Sequence, residues 1–171
     1  MLVRPYRTLF LCAHNSARSI IAEAVLRKIA GAASGRRFEA FSAGSEPAAA
    51  PLPAVIERLE ALGYDTTNLA SKSWQAFVGA DAPRMDFVIT MCDILEHNTC
   101  PDFGDQAATA AWPFPDPAKF MGSETEHAAM INELIGMIRR RLEIFISLPF
   151  DTLDRMALEA RLDEIGKQLR A

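Results

Sequence analysis

Short apolar runs alternate along this chain with segments in which hydrophobic residues recur every three or four positions. A short apolar run predicts a buried strand, and the longer recurrence predicts one face of a helix. Strands are therefore expected at Thr8–Leu11, Phe38–Ser42 and Asp86–Met91, with a brief fourth at Ala111–Phe114 that its proline weakens.

Helices are predicted where apolar side chains share one face of the helical period. They begin at Arg18, cover about Ala54–Leu62, extend from the capping box Ser123–Glu126 to Pro149, and cover about Asp154–Leu169, with a short helical turn at Trp74–Phe77. Strands that alternate with helices imply a parallel sheet with right-handed crossovers. We expect an α/β fold of three layers, in which a four-stranded parallel sheet carries helices on both faces.

Composition narrows the class of protein. A chain of 171 residues predicts a single domain, here residues 1–171 with a helical extension from about residue 150. The net charge of −4 argues against a nucleic-acid partner, which would need a basic face. No apolar run approaches the roughly 20 residues of a membrane span, so we expect no membrane partner and a cytoplasmic location. Three cysteines are an odd number, unlike a secreted disulfide scaffold.

Cys12 lies at the end of the first predicted strand, on a short loop that leads into the helix starting at Arg18. Loop N–H groups, the helix dipole and Arg18 would converge on one spot, which predicts an oxyanion site that also favours the Cys12 thiolate. A buried core cysteine is the alternative, but polar loop residues such as Asn15 and Ser19 favour catalysis, and Ser19 could donate to the thiolate. The predicted oxyanion contacts come from Ala13, His14, Asn15, Ser16, Ala17, Arg18 and Ser19.

The stretch CAHNSARS, followed by AEA, resembles the signature of the low-molecular-weight tyrosine phosphatase superfamily, and Asn15-Ser16 resembles its arsenate reductase branch. The resemblance continues through FSAG, GYD, SKSW, FVITMCD and WPFPDPA and covers nearly the whole chain, while the tail is similar to that of some proteobacterial members. It implies the low-molecular-weight phosphatase fold. One departure is His14, where the family usually has glycine. A ring there would narrow the oxyanion-binding loop of residues 12–19 (the cradle) or mark a change of substrate.

The resemblance makes Asp116, before Pro117, the general acid that protonates the leaving oxygen. A plain turn aspartate is the alternative, because Asp-Pro is common in turns. The phosphatase branch usually has an aromatic residue shortly after this pair, whereas Ala118-Lys119 follows here, which weakens a phosphatase interpretation.

Cys92 and Cys100 follow the third predicted strand, as the second and third cysteines do in thioredoxin-coupled arsenate reductases. The implied relay runs from a Cys12 thiol-arsenate adduct, through attack by Cys92, to a redox-active Cys92–Cys100 disulfide. Seven residues separate the two cysteines, against six in the best-known members, so glutathione or glutaredoxin remains an alternative external reductant to thioredoxin.

We expect no tightly bound cofactor. Cys92 as a buried cysteine is one alternative, and zinc held by Cys92, His97 and Cys100 is disfavoured because the spacing matches no common site.

The resemblance also implies a potassium site behind the loop, formed by Asn15, Glu23, Ser42 and Asp65. Ordinary loop hydrogen bonding is the alternative for these four residues. His127, in the polar first turn of a helix, is interpreted as a solvated surface residue.

Three functions follow from these residues. The first is an arsenate reductase that uses Cys12, Cys92 and Cys100. The second is a phosphatase acting on phosphotyrosine or another phosphomonoester with Cys12, Arg18 and Asp116. The third is a non-enzymatic protein that binds an oxyanion such as arsenate, phosphate or sulfate, or senses redox state. Three cysteines favour the first.

Overall fold

The computed structural model describes residues 4–32, 38–91 and 107–167. Four parallel strands form one sheet in the order β2-β1-β3-β4. They are β1 (Tyr6–Cys12), β2 (Phe38–Gly44), β3 (Phe87–Thr90) and β4 (Ala108–Ala111). The predicted α/β class and four-stranded parallel sheet are confirmed.

The helices are α1 (Arg18–Ala32), α2 (Pro53–Ala61), α3 (Glu124–Ile146) and α4 (Arg155–Lys167), with short 3-10 helices at Trp74–Phe77 and Pro117–Lys119. The predicted capping box is present: Ser123 Oγ accepts from the Glu126 N–H, and the Glu126 carboxylate accepts from the Ser123 N–H. Gly63, just past α2, has a φ of 83°, a left-handed conformation that glycine adopts without strain.

Contacts between aromatic side chains show which elements pack on each face of the sheet. Tyr6 and Phe38 are register partners in the sheet, and both contact aromatic rings from the end of α3 and just beyond it. Phe41, an odd number of positions from Phe38, faces the opposite side and packs edge-on against Phe77 of the first 3-10 helix. Because α1 also packs against α3, two long helices cover one face and the 3-10 helix covers part of the other.

The fourth strand lies earlier than the sequence predicts. The sequence predicts a strand at Ala111–Phe114, whereas β4 spans Ala108–Ala111. Its alanines carry little strand propensity, so no local pattern marked it. Backbone pairing with β3 decides its position instead, since the Ala108 N–H donates to Asp86 O at one end and the Trp112 N–H to Thr90 O at the other.

Helix α4 lies along the free edge of β4. In this strand the N–H and C=O of alternate residues point away from β3. The outward Thr109 N–H donates to the Glu159 carboxylate at 3.2 Å, and Gly166 packs directly against the outward carbonyl of Ala111. The helix thus covers polar backbone that an exposed edge strand would present to other chains.

Candidate active site

The loop between β1 and α1 places Cys12 at the carboxyl edge of the sheet, where α/β folds bind ligands. Cys12 is buried, with 2% of its surface exposed. Strand β2 approaches this loop so closely that a Cβ on Gly44 would lie 2.6 Å from Ala13 O. Glycine is therefore required at residue 44 for the sheet to support the loop.

Asn15 holds the loop in shape. Its φ of 46° is left-handed, a conformation that asparagine tolerates better than most residues. Its side-chain oxygen accepts from the Lys72 N–H at 2.8 Å, and its amide nitrogen donates to Ser19 Oγ at 2.7 Å. Its backbone carbonyl accepts from Ser71 Oγ. The segment after α2 thus fixes the cradle from behind.

Ser19 Oγ lies 2.8 Å from Cys12 Sγ. Because this oxygen already accepts the Asn15 amide hydrogen, its own proton is free to point at the sulfur. Asn15, Ser19 and Cys12 form a buried hydrogen-bonded chain, in which Asn15 donates to Ser19 and Ser19 can donate to Cys12. A hydroxyl that donates to sulfur stabilises the thiolate over the thiol.

Arg18, the first residue of α1, carries a buried guanidinium that faces the segment after β4. Its Nη1 donates to Phe114 O at 3.2 Å, and its Nη2 lies 3.4 Å from Asp116 Oδ2. Its Nε has no hydrogen-bond partner among the described residues, so it remains available to an oxyanion. The structure therefore brings together three residues that the sequence assigned to the site: Cys12, Arg18 and Asp116.

Asp116 is held by its own turn. One carboxylate oxygen caps the second 3-10 helix by accepting from the Ala118 N–H at 3.0 Å, and the other faces Arg18. A carboxylate held on this turn beside Arg18 could exchange a proton with a ligand bound by that arginine.

His127 is not the solvated surface residue that the sequence predicts. It is half-buried, and its Nε2 lies 2.8 Å from Pro117 O, which can only accept. Its ring stacks on Phe120 with centroids 5.6 Å apart and planes at 6°. The residue thus pins both ends of the turn that carries Asp116. No local pattern could have shown this, because the contact joins the loop after β4 to the first turn of α3.

His14 causes no backbone strain in the cradle. The described residues other than glycine that have positive φ are Asn15 and Asn68, so residue 14 does not need the freedom of the family's usual glycine. The His14 side chain is exposed, with Nδ1 3.0 Å from Glu46 O. Histidine is therefore compatible with the loop.

Behind the cradle, the buried carboxylate of Glu23 faces two cations. Lys72 Nζ lies 3.9 Å from one carboxylate oxygen and Arg27 Nη2 lies 3.5 Å from the other, while Ser42 Oγ donates at 3.4 Å. Burial raises the pKa of Glu23 despite these cations, and burial also lowers the pKa of Lys72 against the opposing effect of Glu23.

These residues do not fit the implied potassium ion. Lys72 and Arg27 already place positive charge at Glu23 and would repel a further cation. The oxygen of Asn15 is occupied by the Lys72 N–H. Asp65 is exposed, and hydrogen bonds from Thr67 lower the pKa of its carboxyl.

The two later cysteines, Cys92 and Cys100, and also His97, lie outside the described residues. The last described residue before them is Met91, whose N–H donates to Leu11 O at 2.7 Å. This hydrogen bond joins β1, one residue before Cys12, to the chain just before residue 92. The described ranges contain no group of three His, Cys, Asp or Glu side chains arranged to hold a metal.

Comparison with known proteins identifies the family. The model of the low molecular weight phosphotyrosine protein phosphatases matches residues 7–155. The chain belongs to this family. Most of α4 lies beyond the matched residues. Within the described ranges, no helix has the length and apolar character needed to cross a membrane.

Two curated relatives of this chain are named arsenate reductases. An arsenate reductase of Oceanobacillus iheyensis is 31% identical over 136 residues, covering 80% of this chain and 91% of that protein. An arsenate reductase of Bacillus subtilis is 29% identical with the same coverage. The predicted resemblance to the superfamily and to its arsenate reductase branch is confirmed.

Solved structures agree on the fold. A thioredoxin-dependent arsenate reductase from Corynebacterium glutamicum superimposes with a TM-score of 0.60 at 29% identity, covering 86% of this chain and 66% of that one. A low molecular weight protein tyrosine phosphatase from T. tengcongensis superimposes with a TM-score of 0.58 at 23% identity, over 81% of this chain and 99% of that one. The second likeness supports the fold alone.

Proposed function

We propose that this protein is an arsenate reductase in which Cys12 is the nucleophile. The observation that carries the proposal is the buried hydrogen-bond chain from Asn15 through Ser19 to Cys12, next to an arginine with an unused donor. It supports a thiolate that attacks a bound tetrahedral oxyanion. The curated arsenate reductases at about 30% identity favour arsenate as that oxyanion.

In the first step, N–H groups of the loop and the Arg18 fork bind arsenate. The Cys12 thiolate attacks arsenic, so that a sulfur–arsenic bond forms and an arsenic–oxygen bond breaks. Asp116 gives its proton to the departing hydroxyl group of arsenate, which leaves as water. Phosphate and sulfate have the same shape and charge and are expected to compete at this site.

In the second step, the Cys92 thiolate attacks Cys12 sulfur. A Cys12–Cys92 disulfide forms, the sulfur–arsenic bond breaks, and its electron pair leaves with arsenic, which becomes arsenite. Cys100 then attacks Cys92 sulfur and releases Cys12 as a thiolate. Two thiols have lost two electrons to arsenic, and a dithiol of the thioredoxin class returns them by reducing Cys92–Cys100. Such exchange requires a reducing compartment, in keeping with a proposed cytoplasmic location and a role in arsenical resistance.

The decisive experiment counts thiols by mass spectrometry in one turnover without added reductant. Wild type should lose two thiols for each arsenite released, and peptide mapping should find Cys92–Cys100. The variant Cys100→Ser should accumulate Cys12–Cys92, and Cys12→Ser should release no arsenite. If Cys100→Ser turns over normally with thioredoxin, the relay is wrong, and Cys92 would work with an external thiol such as glutathione or glutaredoxin.

A phosphatase is the second candidate, favoured by the placement of Asp116 beside Arg18. Hydrolysis of a phosphate ester needs the nucleophile and the acid but neither later cysteine. An aryl phosphate assay on Cys92→Ser and Cys100→Ser separates the candidates. Ester hydrolysis at the wild-type rate in both variants, with no arsenite formed by wild type, would establish the phosphatase instead.

A further inference from the structure

The acceptor of the Arg18 hydrogen bond is itself held by a second buried arginine. Phe114, whose carbonyl accepts from Arg18 Nη1, lies with its ring 4.3 Å from the guanidinium carbon of Arg141. Arg141 belongs to α3 and is 3% exposed. A guanidinium stacked on an aromatic face is attracted by the ring and restrains its position.

Arg141 is joined in turn to the end of α4. Its Nη2 donates to Gly166 O at 3.2 Å, in the last turn of that helix. Unsatisfied carbonyls at a helix C-terminus carry partial negative charge and therefore stabilise a buried cation. The guanidinium thus connects α4 to the ring of Phe114.

Helix α4 is also fixed against the residues just before Phe114. The Trp112 indole Nε1 donates to Leu162 O at 2.9 Å, and this ring is fully buried. A Cβ on Gly166 would lie 2.8 Å from Ala111 O and 2.9 Å from Trp112 Cδ1, so only glycine permits the approach. The last two turns of α4 therefore contact Ala111 and Trp112 at several points.

We propose that Arg141 and the last turn of α4 form a positioning unit for Arg18, so that this C-terminal helix sets the affinity of the oxyanion site. The unit acts through Phe114: when α4 is in place, the Phe114 carbonyl is held where it accepts from Arg18 Nη1. The Arg18 guanidinium then keeps its own Nε free for the ligand. Neither Arg141 nor α4 touches the reacting atoms. The inference rests on Arg18 binding the oxyanion, as in the proposed function, but not on reduction of arsenate.

The test measures how phosphate protects Cys12 from iodoacetamide, read peptide by peptide in the reduced full-length protein. The test variants are Arg141→Met, which removes the fork, and Gly166→Ala, which pushes α4 from the strand. The matched controls lie on α3: Arg140→Met changes an exposed neighbour, and Gly136→Ala adds a methyl that meets nothing closer than Arg140 Nη1 at 3.5 Å. All assays are made well below each variant's melting temperature.

Both test variants should need about tenfold more phosphate than wild type for half-maximal protection of Cys12, the effect expected for one buried hydrogen bond. Both controls should stay within about twofold of wild type by the same measure. A lower melting temperature with unchanged phosphate protection in Arg141→Met and Gly166→Ala would show a purely structural role and overturn the proposal. Absence of phosphate protection in wild type would instead contradict the proposed oxyanion site itself.

If neither test variant folds, Trp112→Phe provides a milder change. It keeps an aromatic ring but removes the hydrogen bond to Leu162 O. Protection weakened by about two- to fivefold is expected, in line with a single bond acting through an intermediate. Unchanged protection in a folded Trp112→Phe protein would then overturn the proposal.

Discussion

The guanidinium of Arg18 lies 3.4 Å from the carboxylate of Asp116, and both side chains are about nine-tenths buried. The residue proposed to bind the oxyanion is therefore paired with the residue proposed as the acid. An incoming oxyanion must share this arginine with the carboxylate. This pairing leads to opposite effects of one substitution on binding and on turnover.

Asp116→Asn should bind phosphate more tightly and turn over more slowly. The amide keeps the turn, because it can still accept from the Ala118 N–H, but removes a negative charge that repels the ligand. Loss of a general acid lowers turnover by about 100-fold. Phosphate protection of Cys12 and single-turnover rates measure the two effects. Weaker phosphate binding by Asp116→Asn would contradict the repulsion, and unchanged turnover would remove Asp116 from the mechanism.

Arg18→Lys should cost far more than its conserved charge suggests. The planar guanidinium of arginine can donate to Phe114 O and to an oxyanion at the same time, whereas the lysine ammonium has no such fork. We expect kcat/KM to fall by about 100-fold or more, as when a donor to a developing oxyanion is removed. Arg27→Lys, on the same helix but exposed, is the control. Activity within a few-fold of wild type in Arg18→Lys would remove the guanidinium from the site.

Ser19→Ala should make Cys12 less reactive at neutral pH. The rate of Cys12 alkylation by iodoacetamide at pH 7 measures this reactivity. Removal of the hydroxyl 2.8 Å from the sulfur should lower the rate, because the thiolate loses a hydrogen-bond donor. Ser16→Ala, in the same loop, serves as the control. A rate equal to that of wild type would show that Ser19 supports the loop without stabilising the thiolate.

Glu23→Gln should change the pH dependence of stability in a defined direction. Burial raises the pKa of Glu23 above its ordinary value of 4.5, so above that pH the folded state binds more protons than the unfolded state. Relative to high pH, the Glu23 contribution to the free energy of unfolding is therefore fully present below pH 4.5 and is lost as pH rises from 4.5 through the raised pKa. Glutamine does not titrate, so the substitution removes this dependence of the free energy of unfolding on pH.

Urea unfolding at a series of pH values tests this expectation. The stability of Glu23→Gln relative to wild type should increase steadily over that range of pH. Glu143→Gln, an exposed carboxylate on α3, should show no such trend. A relative stability that stays constant or decreases with pH would mean that the folded state prefers the charged form of Glu23.

His127→Leu should slow turnover while leaving phosphate binding nearly unchanged. The substitution removes the hydrogen bond to Pro117 O and the stacking on Phe120, which together hold the turn of Asp116. A misplaced acid lowers kcat, whereas Arg18 and the loop N–H groups remain in place. We expect a loss of about tenfold in kcat. Glu124→Gln, exposed in the same helical turn, is the control; an equal loss of phosphate binding in His127→Leu would indicate general disruption instead.

The local features of this protein can be predicted from its amino-acid sequence. Cys12, Asn15, Arg18 and Ser19 lie within eight consecutive positions, so the short loop and the helix start that follow a buried strand already bring them together. The capping box and the main apolar runs are local for the same reason, because their hydrogen bonds and periodicity depend on near neighbours.

Contacts between distant segments of the chain depend on how the sheet and helices pack. The alanines of β4 have no strong preference, and backbone pairing with β3 chose their register. Lys72 reaches Glu23, His127 reaches Pro117, and Arg141 links Gly166 to Phe114 only after the sheet and helices have packed. Sequence spacing carries no signal for such contacts, since burial and partner geometry, rather than local propensity, determine which polar groups meet.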